Sequence, residues 1–159
     1  MIFVTVGTHH LPFNRLLLMI DELVGQKHIN EKVIIQSGTT NIKVSGAVQK
    51  NAYDFNEFIS LLKKARIVIS HAGPATIYQC VVLAGKKPII IPRLKKYGEH
   101  VSDHQLYFAR ELTKGNKIHL CLNKKELFHQ VKSYRLQRTT WKQSQGIAKR
   151  LKKFLNDLN

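Results

Sequence analysis

The runs Ile67-Val68-Ile69 and Ile89-Ile90-Ile91 constrain the fold more than any other feature of this chain. A strand with one wet face alternates apolar and polar residues, because successive side chains point to opposite faces. These runs do not alternate. Three β-branched residues in a row need cover on both faces, as in a parallel sheet held between helical layers.

The flanking segments fit that arrangement. Residues 2–6 (IFVTV) read as a first strand, closed by Gly7. Apolar residues then recur at Phe13, Leu16, Leu17, Ile20, Leu23 and Val24, the spacing of one helical stripe, with Gly25 at its end. Residues 32–36 predict a second strand and residues 41–48 (NIKVSGAV) a short third. A helix over 54–64 is capped by Asp54 and turns Phe55, Phe58, Ile59 and Leu62 inward. A strand at 66–70 leads to a helix at 75–83, with Pro74 in its first turn and Gly85 past its end. A strand at 88–91 stops at Pro92, a helix covers 103–112, and a brief strand covers 117–120. Two helical patterns close the chain, the last with Ile147, Leu151, Phe154, Leu155 and Leu158 on one face. The expected fold is α/β: a Rossmann-like, open, mostly parallel sheet with helices on both faces. It forms a single domain over 1–159, with a basic helical section from about 123 to 159.

Composition narrows the class. Hydrophobic residues make up 43% and charged residues 23%, which is globular and not disordered. No apolar run reaches the roughly 18–20 residues that span a bilayer. No basic leader precedes the first strand, so no signal peptide is expected. Cys80 and Cys121 are too few for a disulfide framework and wrongly spaced for a zinc cluster, which points to the cytoplasm. Cys80 reads as a core residue. The net charge is +16, of which +10 lies in residues 110–159. Such a field suits nucleic acid, an anionic membrane face, or an acidic protein or substrate, and it also suits a plain solvated surface. Trp141 and Tyr134 lie in the basic section, but no nucleic-acid-binding signature accompanies them.

In an open parallel sheet, ligands bind beyond the carboxyl ends of the strands. Four loops should meet there: 7–11, 37–40, 70–76 and 92–105. The sharpest is 70–76 (SHAGPAT). Gly73 permits close backbone approach, and the following helix offers unpaired N–H groups to a phosphate. Ser70, His71 and Thr76 add side-chain donors. The spacing is neither that of a Walker loop nor that of a dinucleotide fingerprint. Gly7-Thr8 and Ser37-Gly38 make further donor-rich turns. His9 and His10 lack a third ligand, so no metal is expected. The segment YGEHVSDHQ could supply acid–base groups, or hydrogen bonds to sugar hydroxyls from Asp103, His104 and Gln105. Arg93, Lys95 and Lys96 could meet a sugar carboxylate or remain solvated.

Taken in order, IFVTVGTHHLPFNRLLLMIDEL, VIIQSGTT, DFNEFISLLKKARIVISHAGPATI and GKKPIIIPRLKKYGEHVSDHQLYFA carry a resemblance. The chain resembles the donor-binding C-terminal half of GT-B glycosyltransferases of family 28. It is most similar to small stand-alone subunits of that half. These occur in bacterial exopolysaccharide and capsule glycosyltransferases and in the dolichol-pathway N-acetylglucosaminyltransferase.

The resemblance implies a UDP-sugar as donor substrate, with no cofactor and no metal. It implies that Gly7 and Thr8 face the diphosphate or cleft, and that Ser37 and Gly38 line the uridine side. Ser70, His71, Gly73, Ala75 and Thr76 would form the nucleotide-sugar loop, and Asp103, His104 and Gln105 would approach the sugar. Larger relatives carry a ribose-binding Glu where this chain has Gln79, and the peptidoglycan enzyme tends to have Arg where this chain has His71. The acceptor half would come from a membrane-anchored partner subunit, acting on a polyprenyl-diphosphate-linked glycan at the cytoplasmic face. The partner would supply the base, with His9, His71 and His104 as further candidates. Two other readings are a non-catalytic enhancer subunit and a basic nucleic-acid-binding module.

Overall fold

The structure is a computed structural model and describes residues 1–135. Six parallel strands run in the order β3-β2-β1-β4-β5-β6. They are β1 (Ile2–Thr5), β2 (Val33–Gln36), β3 (Val48–Lys50), β4 (Ile67–Ser70), β5 (Ile89–Ile90) and β6 (His119–Leu120). Helix α1 (Asn14–Gly25) follows β1, α2 (Phe55–Lys64) follows β3, and α3 (Pro74–Tyr78) follows β4. Helices α4 (His104–Lys114) and α5 (Lys124–Ser133) follow β5 and β6. The α/β, Rossmann-like, parallel architecture expected from the sequence is the one observed.

Two core layers explain why the strands do not alternate. Ile2, Val4, Ile67, Ile69, Ile89 and Ile91 pack with Leu16, Leu17 and Ile20 of α1 and Leu127 and Val131 of α5. Phe3, Ile34, Val68 and Ile90 turn the other way, onto Phe58 and Leu62 of α2, Ile77 of α3 and Phe108 of α4. Both faces of β1 and β4 are therefore dry. Each such side chain contributes about 1.5–3 kcal/mol through burial. Phe3 anchors the second layer, with edge-on contacts to Phe58 at 5.4 Å and Tyr53 at 6.0 Å.

Three expectations need correction. The third strand lies at 48–50, not 41–48, and pairs in parallel with β2. Before it the chain turns at Gly46 (φ +72°), and the Gln49 side chain clips Ile42 O at 2.8 Å. The turn uses up the backbone that a longer strand would need. Helix α1 does end at Gly25, as expected, and the left-handed residue that follows is Lys27 (φ 56°). Phe55 is in phase with Phe58 and Leu62 yet is 60% exposed in the first turn of α2. Periodicity gives a side chain's direction, not the extent of the layer beneath it. The helix at 75–83 is α-helical only to Tyr78; Gln79–Leu83 form a π-helical turn, closed by Ala84 N–H to Gln79 O at 3.0 Å. Gly85 (φ +62°) then ends it, as expected. The stripe from Ile147 to Leu158 and the basic section beyond residue 135 lie outside the described residues.

Candidate functional site

Strands β1, β2, β4 and β5 release their loops at one edge, and the register brings the loops together. Thr5 pairs with Gln36 on one side and Ser70 on the other, and Ser70 pairs with Ile90. The four loop starts therefore lie side by side. Thr5 Oγ1 donates to Gln36 Oε1 at 2.7 Å and accepts the Gly7 N–H at 3.2 Å.

The His71 ring lies between two glycines. A Cβ on Gly7 would stand 2.5 Å from His71 Cε1, and one on Gly73 would stand 2.2 Å from His71 Nε2. Neither contact is open to a larger residue, and Gly7 also has φ +77°. A Cβ on Gly38 would meet the Gly7 carbonyl at 2.4 Å. His71 is buried, its N–H donates to Thr5 O at 3.3 Å, and the Ser70 hydroxyl donates to its carbonyl at 3.0 Å. Burial first, and the charge of Arg93 second, push the His71 imidazole down to about 3. It is neutral at physiological pH and serves as a packed wall.

Below the crevice, Arg93 is fully buried. Its Nη1 donates to Leu11 O at 2.8 Å and Glu99 O at 3.1 Å, and its Nη2 donates to Val6 O at 2.8 Å. Its guanidinium lies 4.9 Å from the centre of the Phe13 ring. Burial lowers Arg93 to about 10, against the opposing influence of Glu99. The Glu99 carboxylate is held elsewhere, by Arg15 Nε and Nη2 at 2.8 Å each and by the Leu94 N–H at 3.0 Å.

Above Arg93, three imidazoles stack. His9 lies 4.4 Å from His10 and 4.9 Å from His100, ring centre to ring centre. His9 is lowered first by burial, then by His10, Arg93 and His100. His100 is lowered first by burial and then by Arg93. An open groove of about 370 Å³, lined by Arg15, Leu18, Met19 and Tyr97, shares Pro12 and Glu99 with the contacts of Arg93. Among the described residues no group of three or more His, Cys, Asp or Glu could hold a metal ion, and no helix is long and apolar enough to cross a membrane.

The family model described as "Glycosyltransferase family 28 C-terminal domain" matches residues 1–158. The chain belongs to that family. Comparison with curated proteins gives no match. Among solved structures, the family 28 domain is similar to the glycotransferase of kitacinnamycin, at 11% identity and a TM-score of 0.58, over 83% of this chain and 34% of that one. It is also similar to MurG of Acinetobacter baumannii, at 17% identity and a TM-score of 0.53, over 81% of this chain and 38% of that one. The chain thus spans a little over a third of those proteins. At these identities the likeness concerns the fold, that of the C-terminal half of a GT-B glycosyltransferase.

Within the family 28 domain the expected site residues divide into two groups. Gly7, Gly38, Ser70, His71 and Gly73 form a close-packed floor. Thr8 and Ala75 are exposed, and Thr76 and Gln79 are half-buried, on the rim. Pro74 has no N–H, and the Ile77 N–H closes the first helical bond on Gly73 O at 3.0 Å, so the Ala75 and Thr76 N–H groups stand at the open end of α3. Ser37 turns away from the crevice: its hydroxyl lies 3.3 Å from both Lys50 O and Asn51 Oδ1. Gln105 is a clip, its Oε1 accepting Ala72 N–H at 3.2 Å and Arg93 N–H at 3.1 Å. Asp103 Oδ1 accepts the Lys95 N–H at 2.8 Å. His104, on the surface, lies 2.8 Å from the Ser102 hydroxyl through Nδ1.

The sequence did not disclose the roles of three members of the site. Arg93 is too deeply buried to meet a sugar carboxylate. Glu99 is an ion-pair partner, not an acid or base. His100 was one histidine among several in a polar loop, and only the stack with His9 sets it apart.

Proposed function

We propose that this domain binds a UDP-sugar in the crevice at the carboxyl edge, with the diphosphate over the Gly73–Thr76 turn. It would act as the donor-binding subunit of a two-component inverting glycosyltransferase. The observation that carries the reading is a fully buried cation, Arg93, that holds Val6 O next to the Gly7 turn and is joined through Gln105 to Ala72 next to Gly73. Positive potential and free N–H groups in a low-dielectric cleft favour a diphosphate and stabilise the charge that grows on it as a leaving group. In the reaction an acceptor hydroxyl attacks the anomeric carbon and the bond from that carbon to the UDP oxygen breaks. The hydroxyl proton passes to a base, and UDP leaves with the bonding pair.

The family match and the fold of a C-terminal half support a need for a second half. We assign the acceptor site and the base to a membrane-anchored partner subunit, and the acceptor to a polyprenyl-diphosphate-linked glycan of exopolysaccharide or capsule synthesis. The charge of +16 suits recruitment to an anionic cytoplasmic membrane face. One observation favours a second reading, a non-catalytic enhancer: Gln79 carries no charge at the position where larger relatives bind the ribose.

The test is transfer by the co-purified pair across a panel of UDP-sugars, with UDP binding by the isolated chain measured by calorimetry. Transfer together with UDP binding supports the donor subunit. Transfer without UDP binding by this chain supports the enhancer. No transfer from any UDP-sugar with a purified acceptor-domain partner sinks both.

A further inference from the structure

We propose that Arg93 is the positioning residue of the crevice: its guanidinium fastens the loop after β1 to the loop after β5, so that both meet a nucleotide diphosphate as one surface. The identity of the ligand rests on the donor-site reading above. The joint itself rests on the contacts of Arg93.

Arg93 leaves β5 and reaches across to the first loop. It holds Val6 at the end of β1 and Leu11 within the loop, and lies 3.4 Å from Pro12 O. The same Nη1 holds Glu99 O of its own loop. The Arg93 N–H is fixed in turn by Gln105, which also holds Ala72 of the third loop. The side chain thus ties two loops whose residues lie more than eighty positions apart in sequence, and Gln105 joins the third loop to the Arg93 backbone. A planar fork with several donors suits this task, and a lysine ammonium on a single stem does not.

The charge needs its own account. Every hydrogen bond from the guanidinium ends on a carbonyl, while the nearby Glu99 carboxylate is held by Arg15 and Leu94. Nε is buried with no partner. Burying a cation without a carboxylate is costly, and a neutral amide could tie carbonyls at lower cost. The surplus potential therefore has a use above the joint, where the imidazoles lie. His9 faces His10, His100 and Arg93; His100 faces Arg93, His104, Asp103 and the Ser102 N–H; His71 faces Arg93, His9 and His100. Burial lowers all three histidines first, and Arg93 adds to that push. An anion in the crevice opposes that push, and so is favoured there.

The experiment follows the imidazole Cε1–H resonances of the full chain by NMR over pH, with UDP as the probe ligand, for wild type, Arg93→Gln and Arg93→Lys. In Arg93→Gln the midpoints of His9 and His100 rise together by about half a unit or more. His119, lowered by its own burial and by Lys87, does not move. UDP affinity falls by about tenfold or more. Arg93→Lys keeps the midpoints low but loses the His9–His100 ring contact and most of the affinity, because one ammonium cannot serve both loops. A folded Arg93→Gln chain with wild-type midpoints and UDP affinity overturns the proposal. Should that variant fail to fold, Arg93→Lys with wild-type ring contact overturns it. Absence of UDP binding by the wild type sinks the donor reading, whereas the ring contact in Arg93→Lys still judges the joint.

Discussion

The floor and the rim of the crevice are built from neighbouring residues but differ in kind. On the floor, Gly7, Ser70, His71 and Gly73 have their polar groups and free space used up by one another. On the rim, Thr8 and Ala75 are exposed, and Thr76 and Gln79 are half-buried. The floor sets the shape of the site and draws its cost from folding stability. The rim is free to spend its hydrogen bonds on a ligand. Residues a few positions apart in one motif, such as His71 and Thr76, thus answer to different pressures.

The largest effect should come from acid acting on the floor. His71 is lowered from 6.5 to about 3 by burial and by Arg93, so its folded value lies below its unfolded one. The stability this neutral ring lends is complete above pH 6.5. It is lost as the pH falls toward 3, at up to about 1.4 kcal/mol per pH unit, because only the unfolded chain takes up the proton. Urea midpoints measured over that window should fall steeply for wild type and less steeply for His71→Asn.

Crowding the floor comes next. In Gly73→Ala the new methyl meets His71 Nε2 at 2.2 Å, and overpacking of this kind costs about 1–3 kcal/mol. Adding His71→Ala should recover part of that loss, so a double-mutant cycle should show non-additive coupling. Additive costs would mean that the floor is less tightly packed than its geometry indicates.

Rim substitutions should leave stability within about 0.5 kcal/mol of wild type. Thr76→Val should weaken UDP binding by about five- to tenfold, the worth of one hydrogen bond, without moving the melting temperature. A drop in melting temperature instead would move Thr76 to the floor and blur the division. The smallest change is expected from Gln79→Glu. A carboxylate makes a stronger, charge-assisted bond to a ribose hydroxyl and should tighten UDP by about threefold. No change would place the ribose elsewhere than over the π-helical turn.

Much of this was legible in the chain itself. The paired runs of Ile and Val announced a sheet covered on both faces, because no one-sided strand tolerates three consecutive apolar residues. Asp54 announced the start of α2, where its carboxylate accepts the Glu57 N–H at 2.8 Å. The glycine turns marked the carboxyl edge. The π-helical turn at Gln79–Leu83 was not legible, because α and π segments share the same apolar pattern over five residues. Nor was the role of Ser37, whose hydroxyl turns to a strand that forms only when β3 docks.

The sequence by itself determined the layer order of the fold, the positions of the loops and the family, since these follow from local periodicity, turn chemistry and the order of motifs. Only the tertiary structure decided which polar groups face a ligand. Gln105 and Glu99 read as candidates for sugar contact or acid–base work, and Arg93 as a contact for a carboxylate. All three are bound inside the protein, through partners up to 87 positions away in the chain. The reason is physical. A polar side chain leaves water only where a partner waits for it, and that partner is supplied by chain closure rather than by the neighbouring residues.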